Sequence, residues 1–298
     1  MENTRSEKDN IILVPVDYSG SSILACRYAA KIAKKTGSRL LLFHAFYSPA
    51  FDLIELTGGL QTQQQLRTDV NEKLFESETE DMKEFIGILK KHQEFKLYEK
   101  KIDFNIKSGL AKDEILLLAE DIKPFMVVMG TKGADKKSSS ILGSITENCI
   151  RKLKVPVLAV PENYKFVGEE KLKDIIYLTN FDESDFLSIK KLMSFTKYFD
   201  LSIHCVHIGS LSDKWETLKM DGLMDYFHKV YKHERVESII LEDKPDLLQS
   251  IDDYVSKNKI NIISLTHRKR NLLEKVLKAD VTRKIFYYSE VPLLVFHS

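Results

Sequence analysis

Several residue types are scarce in this chain of 298 residues, and each scarcity excludes a class of protein. The three cysteines, Cys26, Cys149 and Cys205, lie far apart, which argues for a reducing compartment and against a disulfide framework or a zinc site. No run of about 18 apolar residues occurs, so no membrane-spanning helix is expected. The net charge of +1 argues against a general nucleic-acid coat, which would carry a basic excess.

The remaining composition is that of an ordinary globular protein. Hydrophobic residues make up 43% and charged residues 30% of the chain, which excludes global disorder. The length favours about two domains. Residues 1–10 are polar and lack the apolar stretch of a signal peptide. We therefore expect a cytoplasmic protein without membrane or nucleic-acid partners.

Apolar runs alternate with helical patterns along the first half of the chain. Residues 11–16 form a nearly unbroken apolar run, which is typical of a parallel strand buried on both faces. Residues 47–69 are interpreted as a loop, before a helix over 70–91. Five βα steps result, with strands expected at 11–16, 40–46, 101–106, 124–129 and 155–160 and helices at 23–33, 70–91, 112–121 and 144–153.

The same pattern then begins again after a polar linker at residues 163–173. The two halves align at an offset of 163 from Pro15 through His44 and at an offset of 136 from Val128 onward. A repeat this long indicates two copies of one domain rather than a solenoid. The sequence therefore predicts two α/β domains, residues 1–162 and 173–298, each an open five-stranded parallel sheet flanked by helices.

One glycine motif points to phosphate chemistry. Gly130-Thr131-Lys132-Gly133 follows the fourth strand, and Gly143-Ser144-Ile145-Thr146 comes nine residues later. At this chain's residue frequencies such spacing is expected about 0.002 times by chance. Glycine lets the backbone approach a polyphosphate closely, and the free amides and dipole at the start of a helix favour an anion. Ligands of open α/β sheets bind at the carboxyl ends of the strands, where this motif falls.

With these motifs the chain resembles the universal stress protein family along essentially its whole length, as two tandem domains. Pro15-Val16-Asp17-Tyr18-Ser19 is similar to the family's first-strand motif, Leu42-Phe43-His44-Ala45 to its second-strand motif, and Gly130 through Thr146 to its ATP-binding motif. The resemblance implies a Rossmann-like sheet, of the adenine nucleotide alpha hydrolase-like type, in the strand order 3-2-1-4-5.

The resemblance also implies a ligand, ATP or else ADP or AMP, with Mg²⁺ carried on the phosphates. Gly130, Gly133, Gly143 and Ser144 would hold the phosphates and ribose. Asp17 would lie near the adenine or the nucleotide-bound metal, and the Ala45 backbone would touch the adenine edge. The nucleotide-binding residues expected from the motifs are Pro15, Val16, Asp17, Ala45, Gly109, Gly130, Thr131, Gly133, Gly143, Ser144, Ile145 and Thr146.

Each of these residues also has a purely structural interpretation. Asp17 could cap the first helix, and Gly109 could be a turn glycine after the third strand. His44 is more readily interpreted as a buried histidine with satisfied hydrogen bonds than as a ligand. His204 and His207 lie three apart on a strand and so face opposite sides, which excludes their gripping one metal together.

The second half departs from the motif at each of its glycines. Gly130 becomes Thr266, Gly133 becomes Lys269 and Gly143 becomes Ala279, while Asp17 becomes Asn180. Side chains would then stand where phosphate would lie. We expect the second domain to have lost nucleotide binding and to serve as a structural partner.

The fifth strands, residues 155–160 and 291–295, are expected at sheet edges, and exposed apolar edges pair with another strand. The family resemblance suggests dimerisation through this strand, which a tandem chain can achieve internally as a pseudo-dimer; a homodimer of two chains is left open.

Three functions follow as hypotheses. The first is a nucleotide-binding sensor or regulator of the stress response, with at most slow ATP hydrolysis, since the pattern shows neither a positioned base nor an arginine finger. The second is an interaction protein of the same fold that binds no nucleotide. The third, an adenylating ligase, lacks a pyrophosphate loop after the first strand.

Overall fold

The structure, a computed structural model, describes most of the chain. The described residues are 10–48, 61–96, 98, 102–132, 143–165, 172–242, 247–267 and 290–297, with the side chains of 61–69 and 247–248 outside the description. The chain divides into two compact units between residues 134 and 135, unit 1 and unit 2 below.

Unit 1 alternates strands and helices as the sequence predicts. Its elements are β1 (Ile11–Pro15), α1 (Gly20–Thr36), β2 (Arg39–Phe46), α2 (Gln61–Leu89), the short α3 (Gln93–Lys96), β3 (Ile102–Ser108), α4 (Ala111–Ile122) and β4 (Met126–Gly130). Its strands are parallel, in the order β3-β2-β1-β4. Ile12, Leu13 and Val14 are fully buried, as a strand covered on both faces requires.

Helix α2 begins earlier than the sequence pattern indicates. We expected a loop as far as residue 69, but residues 61–69 are helical. This stretch carries three consecutive glutamines with weak apolar periodicity, and glutamine is a good helix former even where no apolar face marks the helix. That expectation was wrong for 61–69, and residues 49–60 lie outside the described residues.

Unit 2 has the complete strand order of one predicted domain. Its elements are α5 (Ser144–Lys152), β5 (Val157–Val160), β6 (Asp174–Thr179), α6 (Glu183–Thr196), β7 (Ser202–Gly209), α7 (Lys214–Tyr231), β8 (Val236–Glu242), α8 (Leu247–Lys257), β9 (Ile262–His267) and β10 (Leu293–His297). The parallel strands follow the order β8-β7-β6-β9-β10, which is 3-2-1-4-5 for the second half of the chain. The predicted fold is confirmed.

The two fifth strands pair with each other inside unit 2. β10 is antiparallel to β5, with Leu294 opposite Leu158 and Val295 opposite Val157, and all four side chains are fully buried. The internal strand pairing expected from the repeat is therefore present. Because β5 pairs with β10, α5 and β5 group with unit 2, whereas the domain bounds 1–162 and 173–298 taken from the repeat stay a prediction.

Two further expectations concern the described residues. All three cysteines are free and buried, and burial raises the pKa of their thiols, to about 12 for Cys149. Within the described ranges, no helix has both the length and the apolar character that a membrane crossing requires.

Candidate functional site

The site residues of unit 1 collect at the carboxyl ends of its strands. In the β1–β2 pairing Pro15 lies opposite Phe43, and the Val16 amide donates to the Phe43 carbonyl over 2.8 Å. Ala45 follows two residues later on β2, and the Gly109 amide donates to the Phe46 carbonyl over 2.9 Å. The expected positions on β1, β2 and β3 therefore share one edge of the sheet, as parallel strands require.

Asp17 organises the connection between β1 and α1. One carboxylate oxygen accepts hydrogen bonds from the hydroxyls of Ser19 (2.5 Å) and Ser22 (2.6 Å) and from the Ser19 amide (3.2 Å). The N-cap of α1 is Ser19, whose hydroxyl accepts from the Ser22 amide. Asp17 is thus not the cap itself but the residue that fixes the cap, and its carboxylate is held at the strand end.

Tyr18 follows Asp17 in a left-handed backbone conformation, with φ +61°. Its ring stacks on His44 with 4.5 Å between centroids and meets the edge of Phe85 at 5.5 Å. His44 Nδ1 lies 2.8 Å from the Val16 carbonyl oxygen, and Nε2 lies 3.3 Å from Glu78 of α2. His44 is therefore a histidine with satisfied hydrogen bonds, as the sequence favours.

Gly130 is required to be glycine by its surroundings. A Cβ at this position would lie 2.8 Å from the Ser21 Cβ and 3.1 Å from the Ser21 carbonyl oxygen. Thr131, next along the chain, is buried. The motif's first glycine therefore brings β4 against the first turn of α1, where a side chain would fill the space.

Gly109 is the other constrained glycine of the expected site. Its φ is +156°, and a Cβ there would lie 2.8 Å from the Glu114 side chain. Glu114 also pairs with Lys107 at 3.7 Å. The Glu114 side chain of α4 thus approaches Gly109 closely, and the expected contact of Gly109 with a ligand stays a prediction.

The second part of the motif begins α5 in unit 2. Gly143 is the N-cap without a side-chain hydrogen bond, and the helix starts at Ser144. Ile145 is exposed and Thr146 is buried in the first turn. A glycine at the N-cap contributes no side-chain acceptor of its own to the first amides of the helix, and helix starts of this kind suit an anion. Gly133 lies outside the described residues.

Unit 2 has a different arrangement where unit 1 has Asp17. Asp185 takes the place of Ser22; it is 2% exposed and accepts hydrogen bonds from the hydroxyls of Tyr177 (3.1 Å) and Thr179 (2.8 Å). The amide of Asn180, which replaces Asp17, also donates to it at 3.2 Å. Burial raises the pKa of Asp185, against the hydrogen bonds that lower it.

Thr266, at the place of Gly130, completes this network. Its hydroxyl lies 2.9 Å from that of Tyr177. Hydrogen-bonded side chains of the chain itself thus meet at the end of the first strand of unit 2, whereas the loss of nucleotide binding in this half stays a prediction.

His204 and His207 face opposite sides of β7, as their spacing predicts. His204 lies 2.8 Å from the Tyr254 hydroxyl and 3.3 Å from Asp174. His207 Nδ1 lies 2.9 Å from the Thr179 carbonyl oxygen. The two rings share no partner, and the described part of the chain contains no cluster of three His, Cys, Asp or Glu side chains suited to a metal ion.

Comparison with known proteins gives the family. A model of the universal stress protein family matches residues 10–161, about half of the chain. The chain belongs to the universal stress protein family. Two universal stress proteins of Methanocaldococcus jannaschii, MJ0577 and MJ0531, are each 27% identical to it. The match to MJ0577 covers 50% of this chain and 93% of that protein. The match to MJ0531 covers 52% of this chain and 83% of that protein.

Solved structures extend the likeness to the whole chain. A universal stress protein from Archaeoglobus fulgidus matches with a TM-score of 0.66 at 18% identity, covering 98% of this chain and 97% of its own. A putative universal stress protein from Pseudomonas aeruginosa matches with a TM-score of 0.58 at 14% identity, covering 97% and 93%. At such identities the likeness shows the fold, and it shows it for both halves of the chain.

Sequence reasoning missed Glu78, which contacts His44 in this universal stress protein. Glu78 lies 34 residues beyond His44, in a helix rich in charged residues, so no spacing distinguishes it from its neighbours. Tyr18 could have been identified from the sequence, because the repeat places another aromatic residue, Phe181, at the same position of the second half.

Proposed function

We propose that this universal stress protein binds an adenine nucleotide, ATP in the first instance, through its N-terminal motif and acts as a sensor or regulator of the stress response. The observation that carries the proposal is the start of α5, where Gly143 is the N-cap and the helix begins at Ser144, at the motif's spacing from Gly130. The first amides and the dipole of a helix favour a phosphate, and a glycine at the N-cap lets the phosphate approach closely.

The residues present fit a nucleotide. Within unit 1 the carboxylate of Asp17 is held at the strand end by hydrogen bonds. The family motif assigns the start of α5, where Gly143 is the N-cap, to the same proposed site. ATP would supply an anion for such amides, and Mg²⁺ would accompany its phosphates. We assign Pro15, Val16, Ala45, Thr131, Gly133, Ser144, Ile145 and Thr146 to the same proposed site on the family motif.

The experiment that tests this proposal is calorimetric titration of ATP with Mg²⁺ into the full chain, beside Gly133→Glu. We expect one site per chain, with binding lost in the variant because a charged side chain would replace the motif's second glycine. Two sites per chain would contradict the assignment to the N-terminal motif. Failure of ATP, ADP and AMP to bind would contradict the proposal.

A second candidate is an interaction protein of this fold that binds no nucleotide. It is favoured by unit 2, where the fold is kept although Thr266, Tyr177 and Asp185 occupy the strand end. Under this function the Gly133→Glu variant would keep every activity of the wild type. A cytoplasmic location and a homodimer stay predictions, to be tested by fractionation and by sedimentation.

A further inference from the structure

We propose that Glu78 of α2 is a positioning residue for the nucleotide site, acting through His44 on the loop that carries Asp17. The inference rests on the proposed nucleotide binding. It concerns two clusters, the His44 cluster (Tyr18, His44 and Glu78) in unit 1 and the His207 cluster (Phe181, His207 and Glu216) in unit 2.

The first step is the anchoring of the His44 ring. Its Nδ1 lies 2.8 Å from the Val16 carbonyl oxygen, which can only accept, so Nδ1 donates this hydrogen bond. On the other side of the ring, Nε2 lies 3.3 Å from a Glu78 carboxylate oxygen. The end of β1 and Glu78 of α2 thus contact the two nitrogens of one ring, so Glu78 helps to fix the ring orientation in which Nδ1 reaches Val16.

The second step leads from His44 to the loop. Tyr18 is held with φ +61°, a conformation that costs a bulky residue about 1–2 kcal/mol. Its ring stacks on His44, and its hydroxyl donates to the Glu78 carbonyl oxygen at 3.3 Å. Burial, Glu78 and Asp81 raise the pKa of this phenol, which stays a donor. Contacts with β2 and α2 thus hold the loop in its strained conformation.

The third step places the carboxylate. Tyr18 stands between Asp17 and Ser19, and Val16 precedes Asp17. The two backbone positions that the cluster fixes therefore flank Asp17 on both sides. A shift of Val16 or Tyr18 would move the carboxylate and the Ser19 cap that depends on it.

Unit 2 repeats the cluster almost contact for contact. Phe181 has φ +60° and lies 4.2 Å from the His207 ring. His207 Nδ1 lies 2.9 Å from the Thr179 carbonyl oxygen, and Nε2 lies 3.5 Å from Glu216. Glu78 and Glu216 are equally exposed, at 23% of their side chains. In unit 2, however, the flanked residue is Asn180, which provides a matched control.

The test compares the ATP dissociation constants of Glu78→Gln and Glu216→Gln by calorimetry on the full chain. Both variants lose a contact between a histidine and a carboxylate at the same exposure, and Glu216 also accepts a hydrogen bond from the Ser210 amide at 2.7 Å. The loss of thermal stability in Glu216→Gln is therefore expected to be at least as large as in Glu78→Gln. Glu78→Gln should weaken ATP binding about fivefold to tenfold, an effect of roughly 1 kcal/mol. Glu216→Gln should leave it unchanged. Wild-type affinity in Glu78→Gln would overturn the inference.

A double-mutant cycle tests the route through His44. If Glu78 acts through the ring, His44→Gln combined with Glu78→Gln should weaken ATP binding no more than His44→Gln alone. Additive losses would overturn this route. Should Glu78→Gln fail to fold, Tyr18→Leu matched against Phe181→Leu gives the same contrast. A wild-type chain that binds no nucleotide would instead refute the proposed function itself.

Discussion

The two units build the same backbone at the end of their first strands and place the carboxylate differently. In unit 1 the carboxylate belongs to the loop, as Asp17, and Ser22 of α1 donates to it. In unit 2 the loop carries Asn180, and the helix carries the carboxylate as Asp185. The exchange moves the carboxyl group from the partly exposed loop into the protein interior. The fold therefore requires a hydrogen bond between the loop and the helix that follow the first strand. It does not require a carboxylate in the loop, which is where the proposed ligand would bind.

The largest effect is expected from Gly130→Thr, which gives unit 1 the residue of unit 2. The new Cβ would lie 2.8 Å from that of Ser21, so β4 or α1 must shift. A shift of α1 would displace the Ser19 and Ser22 hydroxyls that hold Asp17. We expect ATP affinity to fall at least about 100-fold, or roughly 2.7 kcal/mol. Calorimetry measures this. Gly87→Ala, where the Cβ meets open space, is the control and should bind as the wild type.

Retained ATP affinity in a folded Gly130→Thr protein would show that the difference between Gly130 and Thr266 does not determine ATP binding. The thermal stability of the variant must be measured beside its affinity, because a shift of α1 also costs packing energy. A loss of binding at unchanged stability would be the clearest support.

Next in size is the loss of the buried carboxylate in Asp185→Ala. Tyr177 and Thr179 hydroxyls and the Asn180 amide would lose their acceptor, and we expect a loss of about 2–3 kcal/mol in the free energy of unfolding. ATP binding should be unchanged. Urea unfolding measures the stability, and Asp225→Ala, on an exposed ion pair with Lys229, should show no change.

Asp17→Ala should give the opposite result, with ATP binding lost and a smaller loss of stability, because its hydroxyl partners lie in a part-buried loop. If Asp17→Ala and Asp185→Ala changed ATP affinity and the free energy of unfolding to the same extent, Asp17 would not be the ligand-binding carboxylate and Asp185 the structural one.

The sequence predicted most of the strands because their apolar runs and the repeat reinforce each other. It also predicted that Gly130 lies at the carboxyl end of the fourth strand, because an apolar run precedes it. It could not give the hydrogen bonds of Asp17, which depend on the backbone turn at Tyr18. Nor could it identify Asp185 as the buried counterpart of Asp17, because the exchange with Ser22 becomes visible only when the two loops are compared in space.

The two halves also differ at the ends of their fifth strands, where the repeat places Pro161 in the first half and His297 in the second. His297 Nε2 donates to the Ile150 carbonyl oxygen at 2.7 Å, and among the described residues its buried Nδ1 has no hydrogen-bond partner. Burial lowers the pKa of His297 to about 4. The folded protein therefore holds this ring neutral.

Since the unfolded chain binds this proton near pH 6.5, stability from His297 is complete above that pH and is lost as the pH falls towards 4. Between pH 7 and 4.5 the free energy of unfolding should fall by about 2 kcal/mol less in His297→Gln than in the wild type. The amide of the new glutamine can still donate to Ile150. Urea unfolding at both pH values measures the difference. Parallel pH profiles would mean that the ring is solvated or already charged in the folded protein.

The smallest effect is expected from Tyr18→Phe, which gives the His44 cluster the ring of the His207 cluster. Phe181 keeps φ +60° and a tilted contact with the His207 ring, at 4.2 Å between centroids, without a hydroxyl. Ring contact is therefore sufficient to hold this backbone. The variant loses one hydrogen bond of 3.3 Å to the Glu78 carbonyl, which is worth about 0.5–1 kcal/mol of stability. ATP affinity should change less than about threefold. Calorimetry and urea unfolding decide between two causes: if Tyr18→Phe weakens binding as much as Tyr18→Leu, the hydroxyl bond to α2, rather than ring stacking, holds Asp17 in place, and the two clusters work differently despite their shared geometry.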